Sequence, residues 1–198
     1  MNLFKIFILA LLIDNVVLMR FLALCPFIGM STDEDKSIGM GLAVMFVTLI
    51  ATAVTWPIYR FILEPLGLVF LQILVFILVI ASLVHLVEYY LKKAVPGLYS
   101  SMGVYLALIT TNCAILAVTL DVIRNNSSIT GQPFTFLESM VYALGVSMGV
   151  MLSMLLLAGI RRRIRTSPVP AFLKGSPVLF IASALLSIAF MGFKGLVQ

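Results

Sequence analysis

Long apolar stretches, broken by short polar or proline- and glycine-marked interruptions, set the pattern of this chain and predict six membrane-length helices. A span needs about 20 apolar residues. The first apolar region, Leu3 to Met30, exceeds that length, and the pair Cys25-Pro26 near its end predicts a break. Proline disfavours helix for the residue before it and suits the first turn of a new helix. Span two, Ile38 to Tyr59, follows the acidic loop Thr32-Asp33-Glu34-Asp35-Lys36, and span three, Leu68 to Leu91, lies between Pro65-Leu66-Gly67 and Lys92-Lys93. Span four covers 98–120 and ends at Asp121, before a polar loop from Arg124 to Pro133. Span five, Phe134 to Ile160, is expected to stop at Arg161-Arg162-Arg163-Ile164-Arg165, and span six runs from Pro177 to Phe193.

The fold class that follows is an all-α integral membrane protein with six transmembrane helices. Six spans divide into three plus three, with halves 1–95 and 96–198. An odd number of spans per half forces the halves into opposite orientations, an inverted repeat of the kind that places a site at mid-membrane. Each half carries an Asn and a Cys in its first span, Asn15 with Cys25 and Asn112 with Cys113.

Composition excludes a soluble domain. Of 198 residues 62% are hydrophobic and 11% charged, and the mean hydropathy is +1.18, whereas soluble domains hold about 45–50% apolar and about 25% charged residues. Six spans with short loops leave no room for an extramembrane domain, so soluble chemistry must come from partners. The net charge of +5 does not point to nucleic acid, because the basic residues gather in loops. Lys36, Lys92, Lys93, Arg161, Arg162, Arg163, Arg165 and Lys174 fall after spans one, three and five, against Lys5, Arg60, Arg124 and Lys194 on the other side. That asymmetry puts both termini outside. Leu22-Ala23-Leu24-Cys25 resembles a lipoprotein cleavage box, but Leu24 is too large for it, and Asp14, Asn15 and Arg20 interrupt the apolar run. The N-terminus is expected to be retained.

Candidate chemistry centres on Leu106 to Leu116, where Thr110-Thr111-Asn112-Cys113 falls within span four near mid-depth. Cys25, the only other cysteine, also lies in an apolar run. Three readings stand side by side: core filler, since a free Cys behaves as a small hydrophobe; a disulfide, which needs Cα atoms within about 7 Å; or metal ligation. A tetrahedral site needs four ligands, and the lone His85 is near Glu88 rather than either cysteine, so this chain by itself cannot complete one. His85 and Glu88, three apart near the end of span three, read as a solvated helix-end pair or an intramembrane site. Asp14 and Asn15 lie deep in span one, where an unpaired acid costs about 2.5–3.5 kcal/mol. They read either as part of an ion path or as polar packing, and Thr110 and Asn112 share that alternative. Thr48, Thr52 and Thr55 form one helical stripe and Gly145, Gly149 and Ser153 another, both expected to serve helix packing.

Several runs together resemble a known family. Asn15-Val16-Val17-Leu18, Phe21-Leu22-Ala23-Leu24-Cys25-Pro26-Phe27, Gly39-Met40-Gly41-Leu42-Ala43, Leu108-Ile109-Thr110-Thr111-Asn112-Cys113-Ala114 and Ala189-Phe190-Met191-Gly192-Phe193 are similar to the A-type subunits of the Rnf ferredoxin:NAD oxidoreductase, over essentially the whole chain. The E-type subunit of the sodium-translocating NADH:quinone reductase is a close relative, and Pro26 favours the Rnf version. The resemblance implies an inverted repeat whose spans one and four are broken or half-length. It implies a homologous E-type partner of opposite topology, with Cys25 and Cys113 supplying two of the four thiolates of a shared [2Fe-2S] cluster. Electrons would enter from cytoplasmic iron-sulfur subunits fed by ferredoxin and leave to a flavin (FMN) on the outer side, in a bacterial inner membrane. A hydrocarbon core of about 30 Å is too thick for one efficient electron hop, and a mid-depth relay halves it. An electron added to a buried site favours a compensating cation, a route to translocation of Na+ or H+.

Two other readings compete. In a small inverted-repeat secondary transporter, Asp14, Asn15 and Asn112 would bind substrate or ion. In a scaffold, the chain would only hold its partners.

Overall fold

The computed structural model describes residues 3–13, 15–31, 34–63, 65, 69–94, 109, 111–124, 134–166 and 175–194. Among them every regular element is helical. The elements are α1 (Leu3–Ile8), continued by a π-helical turn (Leu9–Ile13), α2 (Val16–Arg20), α3 (Leu24–Met30), α4 (Glu34–Ile58), α5 (Gln72–Ala94), α6 (Cys113–Arg124), α7 (Phe136–Thr166) and α8 (Ser176–Lys194). Three helices are long and apolar enough to cross a membrane: Ser37–Leu63, Gln72–Tyr89 and Phe136–Thr166. Cys113–Ile123 and Ser176–Gly192 are shorter apolar helices. The acidic loop residues Thr32 and Asp33, span four before Ile109 and the loops after α6 and α7 lie outside the described residues.

The first apolar region breaks more than once, and its breaks precede the one expected at Cys25-Pro26. After α2 the chain turns through Phe21 (φ 53°) and Ala23 (φ 58°), both left-handed, before α3 begins. Pro26 thus sits inside the first turn of α3, where its missing N–H costs nothing, because the first backbone bond of that helix runs from Phe27 N to Ala23 O (3.1 Å). Pro57 lies inside α4, and the backbone loosens just after it into a π turn, Tyr59–Leu63. At its far end α7 does not stop at Ile160 but continues through the basic run to Thr166. Cations in the last turns of a helix complement its negative end.

The chain packs as two compact units, Met1–Ala43 with Gly145–Gln198, and Val44–Leu144; the boundaries fall inside α4 and α7 and not at residue 95. In the first unit the short helices α1 to α3 are tied to α7 and α8. Small residues make this possible on α7. A Cβ on Gly145 would lie 2.7 Å from Ala10 Cβ and 3.0 Å from Phe7 O, and one on Gly149 would lie 3.0 Å from Leu11 O. The stripe Gly145-Gly149-Ser153 therefore serves close helix approach, as its spacing predicts. On α4 the other stripe is self-satisfied: Thr48, Thr52 and Thr55 each donate to the carbonyl four residues back, at 2.6, 2.8 and 2.7 Å.

In the second unit the core is built by Phe76, Ile80 and Val84 of α5 and by Ile115, Val118 and Val122 of α6, all buried. The start of α7 is set by a capping box. Glu138 Oε2 accepts from Thr135 N (3.0 Å), and Trp56 Nε1 donates to Phe134 O (3.2 Å) while its ring meets Phe136 edge-on.

Candidate functional site

Backbone polar groups have no water to turn to in an apolar layer, so a broken span survives only if side chains satisfy the ends it creates. In the first unit three side chains do so. Asn15, fully buried, caps α2: its Oδ1 accepts from Val17 N (3.2 Å) and Leu18 N (3.4 Å). Its Nδ2 donates to Gly149 O (3.0 Å) and Ser153 Oγ (2.7 Å) on α7. Ser187 of α8 donates to Leu18 O (2.6 Å), supplying a partner at the C-terminal end of α2. Arg161 of α7 donates to Ile28 O (3.0 Å) near the end of α3 and, at the edge of hydrogen-bond distance, to Ser31 Oγ (3.5 Å). The guanidinium also meets the negative end of that helix.

This frame delivers Cys25 to the second position of α3, directly after a turn with two non-glycine residues in left-handed geometry. Such backbone costs about 1–3 kcal/mol per residue and persists where the surroundings enforce it. The other cysteine, Cys113, is the first residue of α6. Asn112 sits just before it, with Oδ1 accepting from Ala114 N (3.0 Å) and its backbone carbonyl accepting from Ile115 N (3.2 Å). The two asparagines thus do the same capping work, one in each unit.

They differ in the other half of the amide. The Nδ2 of Asn15 has two acceptors, whereas the Nδ2 of Asn112 is buried and has no partner among the described residues. Asn112 is 5% exposed. Leaving such a donor unmade costs about 1–3 kcal/mol.

Both thiols are unbridged and both are exposed. That is not how core filler behaves, since cysteine outside disulfides ranks among the most buried residue types. Each thiol also occupies the first turn of its helix, where the end N–H groups and the macrodipole favour negative charge. Cys25 lies in one compact unit and Cys113 in the other. Among the described residues no three of His, Cys, Asp or Glu gather in a group that would hold a metal ion. Asp14 and Thr110, the remaining candidates for an ion path or polar packing, lie outside the described residues.

His85 Nδ1 is 3.3 Å from Glu88 Oε2 on α5, with the His85 side chain 70% exposed. That geometry fits the helix-end pair expected from their spacing. The contributions of Ser187 and Arg161 were hidden in the sequence. Ser187 is a single hydroxyl in an apolar helix, and Arg161 is one of a basic run whose only evident meaning is orientation.

Comparison with known proteins gives a consistent result. A family model described as Rnf-Nqr subunit, membrane protein, matches residues 3–197. The chain is 46% identical over 196 residues to the A-type subunit of the ion-translocating oxidoreductase complex of Syntrophotalea carbinolica, covering 99% of this chain and 98% of the relative. It is 45% identical over 196 residues, with the same coverage, to the A-type subunit of the Na(+)-translocating ferredoxin:NAD(+) oxidoreductase complex of Acetobacterium woodii. Against the A-type subunit of the ion-translocating oxidoreductase complex of Azoarcus sp. (strain BH72) the identity is 48% over 185 residues, 93% of this chain and 92% of the relative.

Proposed function

The chain belongs to the Rnf-Nqr family of membrane subunits, and from that premise we propose that it is the A-type membrane subunit of an ion-translocating ferredoxin:NAD+ oxidoreductase. Its work there is to hold half of an intramembrane [2Fe-2S] cluster. The observation that carries this reading is the pair of exposed thiols in an otherwise apolar chain, each in the first turn of a helix that begins at a break.

The donor set fits the group in kind and falls short in number. A [2Fe-2S] centre takes four protein ligands, usually thiolates, and this chain has two cysteines. The other two come from a homologous E-type subunit of opposite topology, which gives the partner surface a defined chemistry. When bound, such a cluster supplies a one-electron stop within the apolar layer. Cys25 and Cys113 bind it as thiolates, whose charge in lipid is tolerable because iron neutralises it. Asn15, Ser187 and Arg161 keep Cys25 in place by satisfying the helix ends around it. Flavin, further iron-sulfur centres and the NAD and ferredoxin sites belong to other subunits of the complex.

A secondary-transporter reading would need Asn15 as a ligand, yet its oxygen and nitrogen are committed to α2 and α7. The orientation with both termini outside and the six-span inverted repeat belong to this proposal and rest on the Lys and Arg asymmetry of the loops and the apolar pattern.

The test is electron transfer in the assembled complex. Cys25→Ser or Cys113→Ser is expected to abolish ferredoxin-driven NAD+ reduction while the partner subunits retain their own cofactors. Wild-type turnover in the double variant would contradict the proposal.

A further inference from the structure

The amide of Asn112 has a fixed direction. Its oxygen must face Ala114 N to cap α6, and an amide that accepts with its oxygen has its two N–H donors on the opposite side. Those donors are buried, and among the described residues nothing accepts from them. Asn15 serves as an internal control. The same residue type, in the same capping role, spends its N–H groups on Gly149 O and Ser153 Oγ. In an apolar layer a buried donor without a partner is selected against unless something else supplies an acceptor. The residue that follows Asn112 in the chain is Cys113, whose thiol is exposed.

We infer that the Asn112 amide is a positioning residue reserved for the group held at Cys113, donating an N–H···S hydrogen bond to its sulfur and so raising the reduction potential of the cluster. This rests on the cysteine-ligation reading above. The amide neither gains nor loses a proton. Reduction adds one electron to the cluster, and a donor aimed at sulfur stabilises the more negative, reduced form over the oxidised one. The chemical class of the acceptor is therefore an anionic sulfur, either the Cys113 thiolate or an inorganic sulfide.

The experiment is a redox titration followed by electron paramagnetic resonance on the purified complex with its partner subunits. Asn112→Ser keeps a capping oxygen but withdraws the donor, and is expected to retain iron while shifting the midpoint potential to a more negative value and altering the g-values. Asn112→Asp, isosteric and a good cap, is read in the same way should the Ser variant fail to assemble. Asn15→Ser is expected to lower the thermal stability of the complex and leave the potential unchanged, as befits a structural amide. An unchanged potential and spectrum in an iron-replete Asn112 variant would overturn the inference. So would failure of both Asn112 variants to assemble, which would make this amide a structural clamp like that of Asn15. A wild-type complex with no signal dependent on Cys113 would remove the ligation reading itself, and this inference with it.

Discussion

A single asparagine does three jobs at the first break of this chain, and its substitution is the sharpest test of how the break is held. Asn15 accepts from two N–H groups of α2 and donates to a carbonyl and a hydroxyl of α7. Gly149 O also accepts from Ser153 Oγ (2.8 Å), so it keeps a partner without Asn15; the N–H groups of Val17 and Leu18 do not keep theirs. Asn15→Leu is therefore expected to cost about 1–3 kcal/mol through the unmade donors. Thermal unfolding of the complex in mild detergent should show it as a lowered midpoint, with Asn15→Asp, which keeps the capping oxygen, falling less. Equal midpoints for wild type and Asn15→Leu would show that the cap is not what holds α2. The sequence marks Asn15 as costly at its depth but leaves open whether it packs or lines an ion path. Burial cost is legible from one residue. The identity of the partners is not, because Gly149 and Ser153 lie more than a hundred positions away.

Among the elements, the apolar pattern locates the long helices closely, since α4, α5, α7 and α8 each overlap the stretch predicted for them. It is weaker wherever a helix ends for reasons beyond its own residues. The basic run after Ile160 reads as a stop, yet α7 extends through it because the positive charges suit a helix C-terminus and Arg161 has acceptors on Ile28 and Ser31. Pro26 reads as the break itself, although the turn lies just upstream at Phe21 to Ala23 and the proline is accommodated in the next first turn. The small-residue stripe on α7 is legible as a packing surface, and its contacts allow a graded prediction. Gly145→Ala places a methyl 2.7 Å from Ala10 Cβ and 3.0 Å from Phe7 O, so backbone must move. Overpacking of that kind costs about 1–3 kcal/mol. Gly159→Ala, on the same helix with nothing within 4 Å of the new Cβ, should be neutral or mildly stabilising. Purified yields and unfolding midpoints of the two variants, compared side by side, decide it. Indistinguishable behaviour would mean that α1 and α7 do not approach as closely as described.

At the scale of the whole molecule, membership of the Rnf-Nqr family and the orientation of the chain carry the functional account. Eight Lys and Arg residues in the loops after spans one, three and five, against four on the other side, predict that reporters fused after Arg165 read as cytoplasmic and reporters fused at Gln198 read as external. A cytoplasmic Gln198 would overturn both the orientation and the even number of spans. The cysteines are legible in the sequence as soft ligands, and the shortfall of two ligands follows from counting. Their exposure, the left-handed turn before Cys25 and the unsatisfied amide beside Cys113 emerge only from the folded backbone. The most direct measurement is iron content together with electron paramagnetic resonance of this chain coexpressed with its E-type partner. The account predicts that the chain on its own is colourless. The reduced pair should hold about two irons and show a [2Fe-2S] signal that disappears in Cys25→Ser and in Cys113→Ser. A signal that survives in the double variant, or a pair that assembles without iron, would contradict it.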